Sequence, residues 1–150
     1  MKKLKIYLDT SVYSALYDER DLIRQNQTKE FWDSIKDHEL YYSDINLEEI
    51  NGVSNTELRN KLRDLLNLGN EIQVSSEVIE LSKIYIKEGL IPEKYESDAI
   101  HVALVTVYSL DILVSWNFKH LVKRKTRIGV NLINLKEGYK AIDILAPPEL

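Results

Sequence analysis

Apolar and polar positions along the chain alternate between short strand-like runs and longer helical patterns. Over Thr56–Leu66 the leucines recur three to four residues apart, which predicts an amphipathic helix. The segment 97–108 is apolar around its whole circumference after the first turn, as in a helix packed on several sides. A helix is also predicted over 76–88, where Gly89 supplies a stop, and a half-exposed helix over 22–36.

Five short runs rich in isoleucine, valine, leucine or tyrosine are predicted to be β-strands. They are Lys5–Leu8, Glu39–Ser43, 71–74, 111–115 and 132–135. The segment 89–95, which Pro92 interrupts, is expected to be a loop. Because strands alternate with helical patterns, we expect βαβ units and a parallel sheet that helices cover on both faces.

Composition places the chain among ordinary globular proteins. Its 150 residues are 44% hydrophobic and 29% charged, without an internal repeat or linker, so one domain over residues 1–150 is expected. No run approaches the ~18 apolar residues of a membrane span, and no apolar signal region follows the first lysines. We therefore expect no membrane contact and a cytoplasmic location. A formal net charge of −4 argues against a general nucleic-acid coat protein, so any contact with nucleic acid is expected to be local.

Three acidic residues stand where the pattern predicts an apolar neighbourhood or a sheet edge. Asp9 follows the first strand, Asp98 lies in the first turn of the most apolar helix, and Glu49 lies on the inward face of a helix that Ser43 caps. Each residue also has an ordinary structural explanation. The two aspartates are suited to cap helices, and Glu49, beside Glu48, is suited to a solvated surface. Clustered carboxylates repel one another unless a cation lies among them. The chain has no cysteine, and hard oxygen ligands favour Mg²⁺ or Mn²⁺.

Polar and basic residues near these acids are candidates for substrate contacts. His101 lies one helical turn beyond Asp98, although a histidine in an apolar helix is commonly a packed, hydrogen-bonded residue. The densest basic run follows the fourth predicted strand, and it either holds an RNA backbone by its phosphates or forms a solvated loop. Its members include Lys119, His120, Lys123 and Arg124. Trp116 is expected either to stack on a base or to be buried.

Four short motifs resemble, in this order, those of PIN-domain proteins, and together they cover nearly the whole chain. They are Ile6-Tyr7-Leu8-Asp9-Thr10-Ser11, Ser43-x-Ile45-x-Leu47-x-Glu49-Ile50, Asp98-Ala99-Ile100-His101-Val102-Ala103 and Leu113-Val114-Ser115-Trp116-Asn117-Phe118-Lys119-His120-Leu121. Within that family the chain is similar to the VapC toxins. The resemblance implies a three-layer α/β/α sandwich with a mostly parallel central sheet. It also implies a magnesium-dependent ribonuclease that acts as the toxin of a type II toxin–antitoxin pair.

Residue by residue, the resemblance implies that Asp9, Glu49 and Asp98 are metal ligands and, together with Asn117, the catalytic set. Asn117 departs from the pattern, because many relatives have aspartate at this position. An amide can ligate or hydrogen-bond through its oxygen but adds no charge, so the number of ions, one or two, stays open. The residues expected to contact water or substrate are Ser115, Thr10, Ser11, His101, Lys119, His120, Lys123 and Arg124.

The resemblance also implies partners: single-stranded or transfer RNA as substrate, a second copy of the chain, and a small antitoxin protein. The helices over 22–36 and Thr56–Leu66 are candidate partner surfaces, with ordinary core packing as the alternative. A different function is a PIN-like module that has lost catalysis and binds RNA or protein, which Asn117 and the acidic balance motivate. A haloacid-dehalogenase-type phosphatase is disfavoured, because its pattern requires a second aspartate where Ser11 stands.

Overall fold

A computed structural model describes residues 2–150. Within them, five strands form one sheet, and helices and two short 3-10 turns connect the strands. The strands are β1 (Lys5–Leu8), β2 (Glu39–Ser43), β3 (Asn70–Ile72), β4 (Ile112–Val114) and β5 (Asp143–Leu145). The helices are α1 (Thr10–Ala15), α2 (Leu22–Ser34), α3 (Asp44–Asn51), α4 (Thr56–Leu66), α5 (Ser76–Lys87), α6 (Glu96–Val107) and α7 (Arg124–Lys136). The 3-10 turns are Glu93–Tyr95 and Pro147–Glu149.

The sheet is parallel throughout, with strand order β3-β2-β1-β4-β5. On the central strand β1, Tyr7 lies opposite Tyr41 of β2 on one side and Leu113 of β4 on the other. Successive side chains of a strand point to opposite faces, yet residues 6–8 are all buried, as is every residue of β4. Both faces are therefore covered, which confirms the predicted three-layer α/β/α sandwich on a parallel sheet.

The order of the strands creates a crevice next to the central strand. The chain proceeds outward from β1 to β2 and β3, and then returns to pair β4 with the other side of β1. The segment after β1 leads toward β2, and the segment after β4 leads toward β5 on the opposite side. The two segments therefore separate beyond the C-terminal ends of β1 and β4, and open α/β sheets bind ligands in such a crevice. Asp9 follows β1 and Ser115 follows β4, so the chain places both residues at this crevice.

The helices begin at polar caps and enclose the core. Side chains that accept a hydrogen bond from the first turn begin five helices: Asp9, Asp21, Ser43, Asn55 and Ser75. Residues 99–106 of α6 are all buried, as their apolar pattern predicted. Inside this layer Asn134 of α7 hydrogen-bonds to Tyr85 of α5 and Thr106 of α6, which satisfies polar groups that water cannot reach. Among the helices of residues 2–150, none has the length and apolar character needed to cross a membrane.

One predicted strand is wrong. The segment 132–135 lies inside α7, where Val130 and Asn134 are buried while Leu132 and Leu135 are exposed. Burial at positions four residues apart is the helical period, and the leucines that suggested a strand face solvent. The fifth strand is instead β5, whose three residues are too few to produce a readable alternation.

Candidate functional site

The Asp9 carboxylate is anchored where β1 ends. It is 4% exposed and accepts hydrogen bonds from the backbone N–H of Ser11, from the Ser11 hydroxyl and from the Ser115 hydroxyl at the end of β4. Burial raises the pKa of Asp9 above its ordinary value, although the charge of His101 and the serine hydrogen bonds oppose the rise. Ser11 and Ser115 therefore hold the carboxylate in place, and Ser115 is fully buried while Ser11 is partly exposed.

Glu49 reaches the same region from the last turn of α3. Its Oε1 atom accepts hydrogen bonds from Thr10 Oγ1 at 2.9 Å and from His101 Nε2 at 2.8 Å, while the side chain remains 37% exposed. Burial opposes ionisation, but the hydrogen bond and the charge of His101 outweigh it, so the pKa of Glu49 lies below its ordinary value. A surface cleft of about 500 Å³ between α3 and α6 opens beside this carboxylate.

Asp98 lies in the first turn of α6, partly buried, and its Oδ2 atom accepts a hydrogen bond of 3.1 Å from the side-chain amide of Asn117. Burial raises the pKa of Asp98 to about 6, and the charges of Asp9 and Glu49 add to the rise. The three carboxylates therefore lie in one electrostatic environment, although they come from distant parts of the sequence.

Asn117, the predicted fourth position, ties the loop after β4 to this environment. Its backbone N–H donates to Ser115 Oγ at 2.9 Å, its side-chain amide donates to Asp98, and its Oδ1 atom accepts from the backbone N–H of His120 at 2.9 Å. The amide thus fixes the carboxylate of Asp98 without adding a negative charge to it.

His101, which was expected to contact substrate, is buried between Glu49 and the sheet. Its ring is 2% exposed, and Nδ1 lies 2.6 Å from the Tyr7 hydroxyl, which in turn lies 2.7 Å from Ser43 Oγ. Burial opposes charging of the ring, but the hydrogen bond and the charge of Glu49 outweigh it and raise the pKa of His101 above its ordinary value. His101 is therefore a positioning residue that joins Glu49 to the sheet.

Sequence reasoning missed Tyr7 and Ser43 as members of this network. One signal was present, because a tyrosine in the middle of a buried strand requires a hydrogen-bond partner for its hydroxyl. Ser43 was recognised only as a helix cap, a role that it also has.

The other predicted substrate contacts separate into buried and exposed groups. His120 is 7% exposed and stacks on Tyr95 with ring centroids 4.1 Å apart, so its ring packs rather than projects into solvent. Lys119 is exposed in the loop after β4. Lys123 is half-buried and caps α7, whose first residue, Arg124, is exposed. Of these four residues, Lys119 and Arg124 are therefore the most open to a ligand.

The donor set fits a hard divalent cation in its chemistry. Asp9, Glu49 and Asp98 supply carboxylate oxygens, and across residues 2–150 none of the three pairs with a lysine or arginine. In the rotamers present, no group of three or more His, Asp or Glu side chains in the described part of the chain converges enough to hold an ion. Each carboxylate instead accepts hydrogen bonds from neighbouring side chains: Asp9 from Ser11 and Ser115, Glu49 from Thr10 and His101, and Asp98 from Asn117.

These charges predict that the metal-free protein is more stable at pH 5 than at pH 8. Asp98 binds a proton in the folded state between its ordinary pKa of 3.8 and its raised pKa of about 6, so its burial costs stability as the pH rises through that window. The pKa of His101 is also raised, so its protonation stabilises the folded state, and this contribution is lost as the pH rises above 6.5. After allowing for partial exposure of Asp98 we expect a loss of about 1–2 kcal/mol, or about 3–6 °C in Tm. Thermal unfolding by circular dichroism in EDTA measures this loss of stability. A Tm at pH 8 that equals or exceeds the Tm at pH 5 would contradict the raised pKa of Asp98.

A family model for the PIN domain matches residues 6–119, a range that includes Asp9, Glu49, Asp98 and Asn117. Comparison with curated protein sequences gives no match. The last matched residue, 119, lies in the loop that carries Asn117, so the family model includes all four predicted positions.

Solved structures with a similar fold include toxins and toxin–antitoxin complexes. The sarcin–ricin-loop-cleaving toxin VapC20 of Mycobacterium tuberculosis superposes with a TM-score of 0.63 at 17% identity, over 77% of this chain and 92% of that one. A toxin–antitoxin complex from Klebsiella pneumoniae gives a TM-score of 0.60 at 22% identity, over 77% of this chain and 88% of that one. DNA-bound VapBC from Salmonella typhimurium gives a TM-score of 0.62 at 14% identity, over 96% of this chain and 98% of that one. At these identities the similarity establishes the fold.

Proposed function

The chain belongs to the PIN-domain family, and from this premise we propose that it is a metal-dependent endoribonuclease and the toxin of a type II toxin–antitoxin pair. One observation carries the proposal: side chains from the end of β1, from α3 and from α6 lie close enough that the charges of Asp9 and Glu49 add to the rise that burial causes in the pKa of Asp98. Repulsion between carboxylates lowers the stability of the fold unless a cation lies among them. Destabilising arrangements of this kind are commonly kept at functional sites.

Asp9, Glu49 and Asp98 would hold Mg²⁺ or Mn²⁺. Such an ion, when bound, supplies an acidified water nucleophile and stabilises charge on the departing oxygen of a phosphodiester. The chain itself contributes orientation: Ser11 and Ser115 hold Asp9, and His101 with Thr10 holds Glu49. Asn117 orients Asp98 without a fourth charge, which favours a site for one ion.

Removal of the metal is expected to abolish RNA cleavage reversibly. Purified protein should cleave single-stranded or transfer RNA with Mg²⁺ or Mn²⁺, and EDTA should lower the rate by about 100-fold or more, because the carboxylates alone cannot activate water. Gel analysis of labelled RNA before chelation, after it, and after added Mn²⁺ measures the effect. Cleavage that persists in EDTA would contradict the proposal. RNA binding without cleavage at any metal concentration would instead support the catalytically degenerate module, which the neutral Asn117 favours.

The proposed antitoxin partner is supported by an apolar groove between α2 and α4. The groove has a volume of about 400 Å³, and Trp32, Leu65 and Leu68 contribute apolar walls, with Leu68 67% exposed. An apolar segment of a partner would remove this surface from water. Two of the similar solved structures are complexes of a toxin with its antitoxin. Homodimerisation and the identity of the RNA stay predictions.

A further inference from the structure

An exposed aromatic residue follows Asn117, the loop residue that contacts the acidic site. Phe118 follows Asn117, whose side chain contacts Asp98, and it is 49% exposed. Trp116, which the sequence offered as a stacking residue, is 7% exposed and donates its indole N–H to Thr28 in the interior. The aromatic surface available to a ligand at this loop is therefore Phe118.

The ring is held in place rather than mobile in solvent. Its edge packs on Trp116, with ring centroids 6.1 Å apart at an interplanar angle of 60°. The loop beneath it is closed by hydrogen bonds from the backbone N–H groups of Leu121 and Val122 to the Asn117 carbonyl, at 3.1 and 2.8 Å. A ligand that stacks on Phe118 thus pays little to order it, which favours binding.

One cationic side chain lies beside this ring, and two more lie beside Tyr95, although the chain as a whole is acidic. The Arg24 guanidinium lies 4.7 Å from the Trp116 ring centre and 5.9 Å from that of Phe118. Beyond Phe118, the ammonium groups of Lys119 and Lys94 lie 5.9 and 5.8 Å from the Tyr95 ring. Neither lysine forms an ion pair with any of residues 2–150. An exposed aromatic ring with cationic side chains in its neighbourhood is the combination that proteins use to bind single-stranded nucleic acid.

We propose that Phe118 is the stacking platform for an unpaired RNA base next to the bond presented to the acidic site, with Arg24 and Lys119 contacting the flanking phosphates. The inference rests on the proposed ribonuclease function and names the feature of the substrate that the site selects. A base within a duplex is already stacked on both of its faces, so it cannot also stack on Phe118. The platform therefore favours unpaired RNA over duplex RNA.

The test is RNA affinity without turnover. In EDTA, fluorescence anisotropy of a short dye-labelled single-stranded RNA is measured with the unchanged chain and with Phe118→Ala, Phe118→Tyr and Ile128→Ala. Loss of one base–aromatic stack predicts about 10- to 100-fold weaker binding for Phe118→Ala. Phe118→Tyr, which keeps the ring, should bind like the unchanged chain. Ile128→Ala is the matched control, because Ile128 is an exposed apolar side chain on α7 at 46% exposure.

Two further readouts separate stacking from other effects. Duplex RNA of the same sequence should bind the unchanged chain more weakly and show no change with Phe118→Ala. In a Trp32→Phe background, where Trp116 is the only tryptophan, single-stranded RNA should quench the emission, because the base lies beside the Trp116–Phe118 pair.

Equal affinity of Phe118→Ala and the unchanged chain for single-stranded RNA would overturn the platform. So would a change in oligomeric state by light scattering with RNA affinity preserved, because Phe118 would then be a protein contact. If the unchanged chain cleaves RNA while Phe118→Ala cleaves and binds it equally well, only this inference fails. If the unchanged chain neither binds nor cleaves RNA, the proposed function fails with it.

Discussion

Replacement of Asp98 by asparagine is expected to abolish RNA cleavage and, in the same protein, to raise the Tm in EDTA. The substitution keeps the shape of the side chain but removes a charge that burial disfavours and that Asp9 and Glu49 repel. Loss of one charged group in a preorganised site lowers kcat by about 100- to 1,000-fold. Removal of this partly buried and repelled charge should stabilise the metal-free fold by about 1–2 kcal/mol at pH 8, after allowing for the partial exposure of Asp98. RNA cleavage with Mn²⁺ and thermal unfolding of the same samples measure both effects.

Asp64→Asn is the matched control, because Asp64 is exposed on α4 and the substitution changes the net charge equally. It should leave both cleavage and Tm unchanged. Asp9→Asn is a less clean test, since Asp9 accepts hydrogen bonds from Ser11 and Ser115, and an amide would turn a donor toward them. Cleavage by Asp98→Asn at the rate of the unchanged chain would remove Asp98 from the catalytic set. A lower Tm in EDTA would contradict the repulsion.

Strand and helix boundaries near the site were predictable because their signals are local. β1, β2 and α4 have the predicted bounds, since each combines a clear apolar pattern with a polar residue that ends the strand or caps the helix. The prediction for the α7 region failed because residues 132–135 resemble the short apolar run of a buried strand. Which face of α7 is buried depends on packing against other elements, which a short run of residues does not encode.

The acidic residues could be predicted, but what holds them could not. Asp9 and Asp98 stand out because each interrupts an apolar segment. The contacts of His101 with Tyr7 and Glu49 join residues 94 and 52 positions apart, and they depend on how α6 packs over the sheet. Likewise Trp116 and Phe118 would share one face of an extended strand, and only the turn at Asn117 sends one inward and the other outward.

Replacement of His101 by leucine is expected to raise the Mn²⁺ concentration needed for half-maximal cleavage by about 10- to 100-fold. The substitution removes both ring nitrogens, so Glu49 keeps only the hydrogen bond of Thr10, and partners that orient a metal ligand contribute this much to metal affinity or activity. The Tyr7 hydroxyl also loses a partner in the interior, which should cost about 1–3 kcal/mol of stability. Titration of cleavage against Mn²⁺, with Tm measured in parallel, separates the two effects.

His38→Leu is the control that distinguishes positioning from a general loss of stability. His38 accepts a hydrogen bond of 3.0 Å from the backbone N–H of Leu4, so its removal also destabilises the fold, but it has no contact with the three acids. Its Tm should fall while its Mn²⁺ requirement stays unchanged. If His101→Leu likewise lost stability with an unchanged Mn²⁺ requirement, Glu49 would not depend on His101 for its orientation. Partial recovery of the Mn²⁺ requirement in His101→Gln, whose amide can donate to Glu49, would show that the hydrogen bond, rather than the ring, orients the carboxylate.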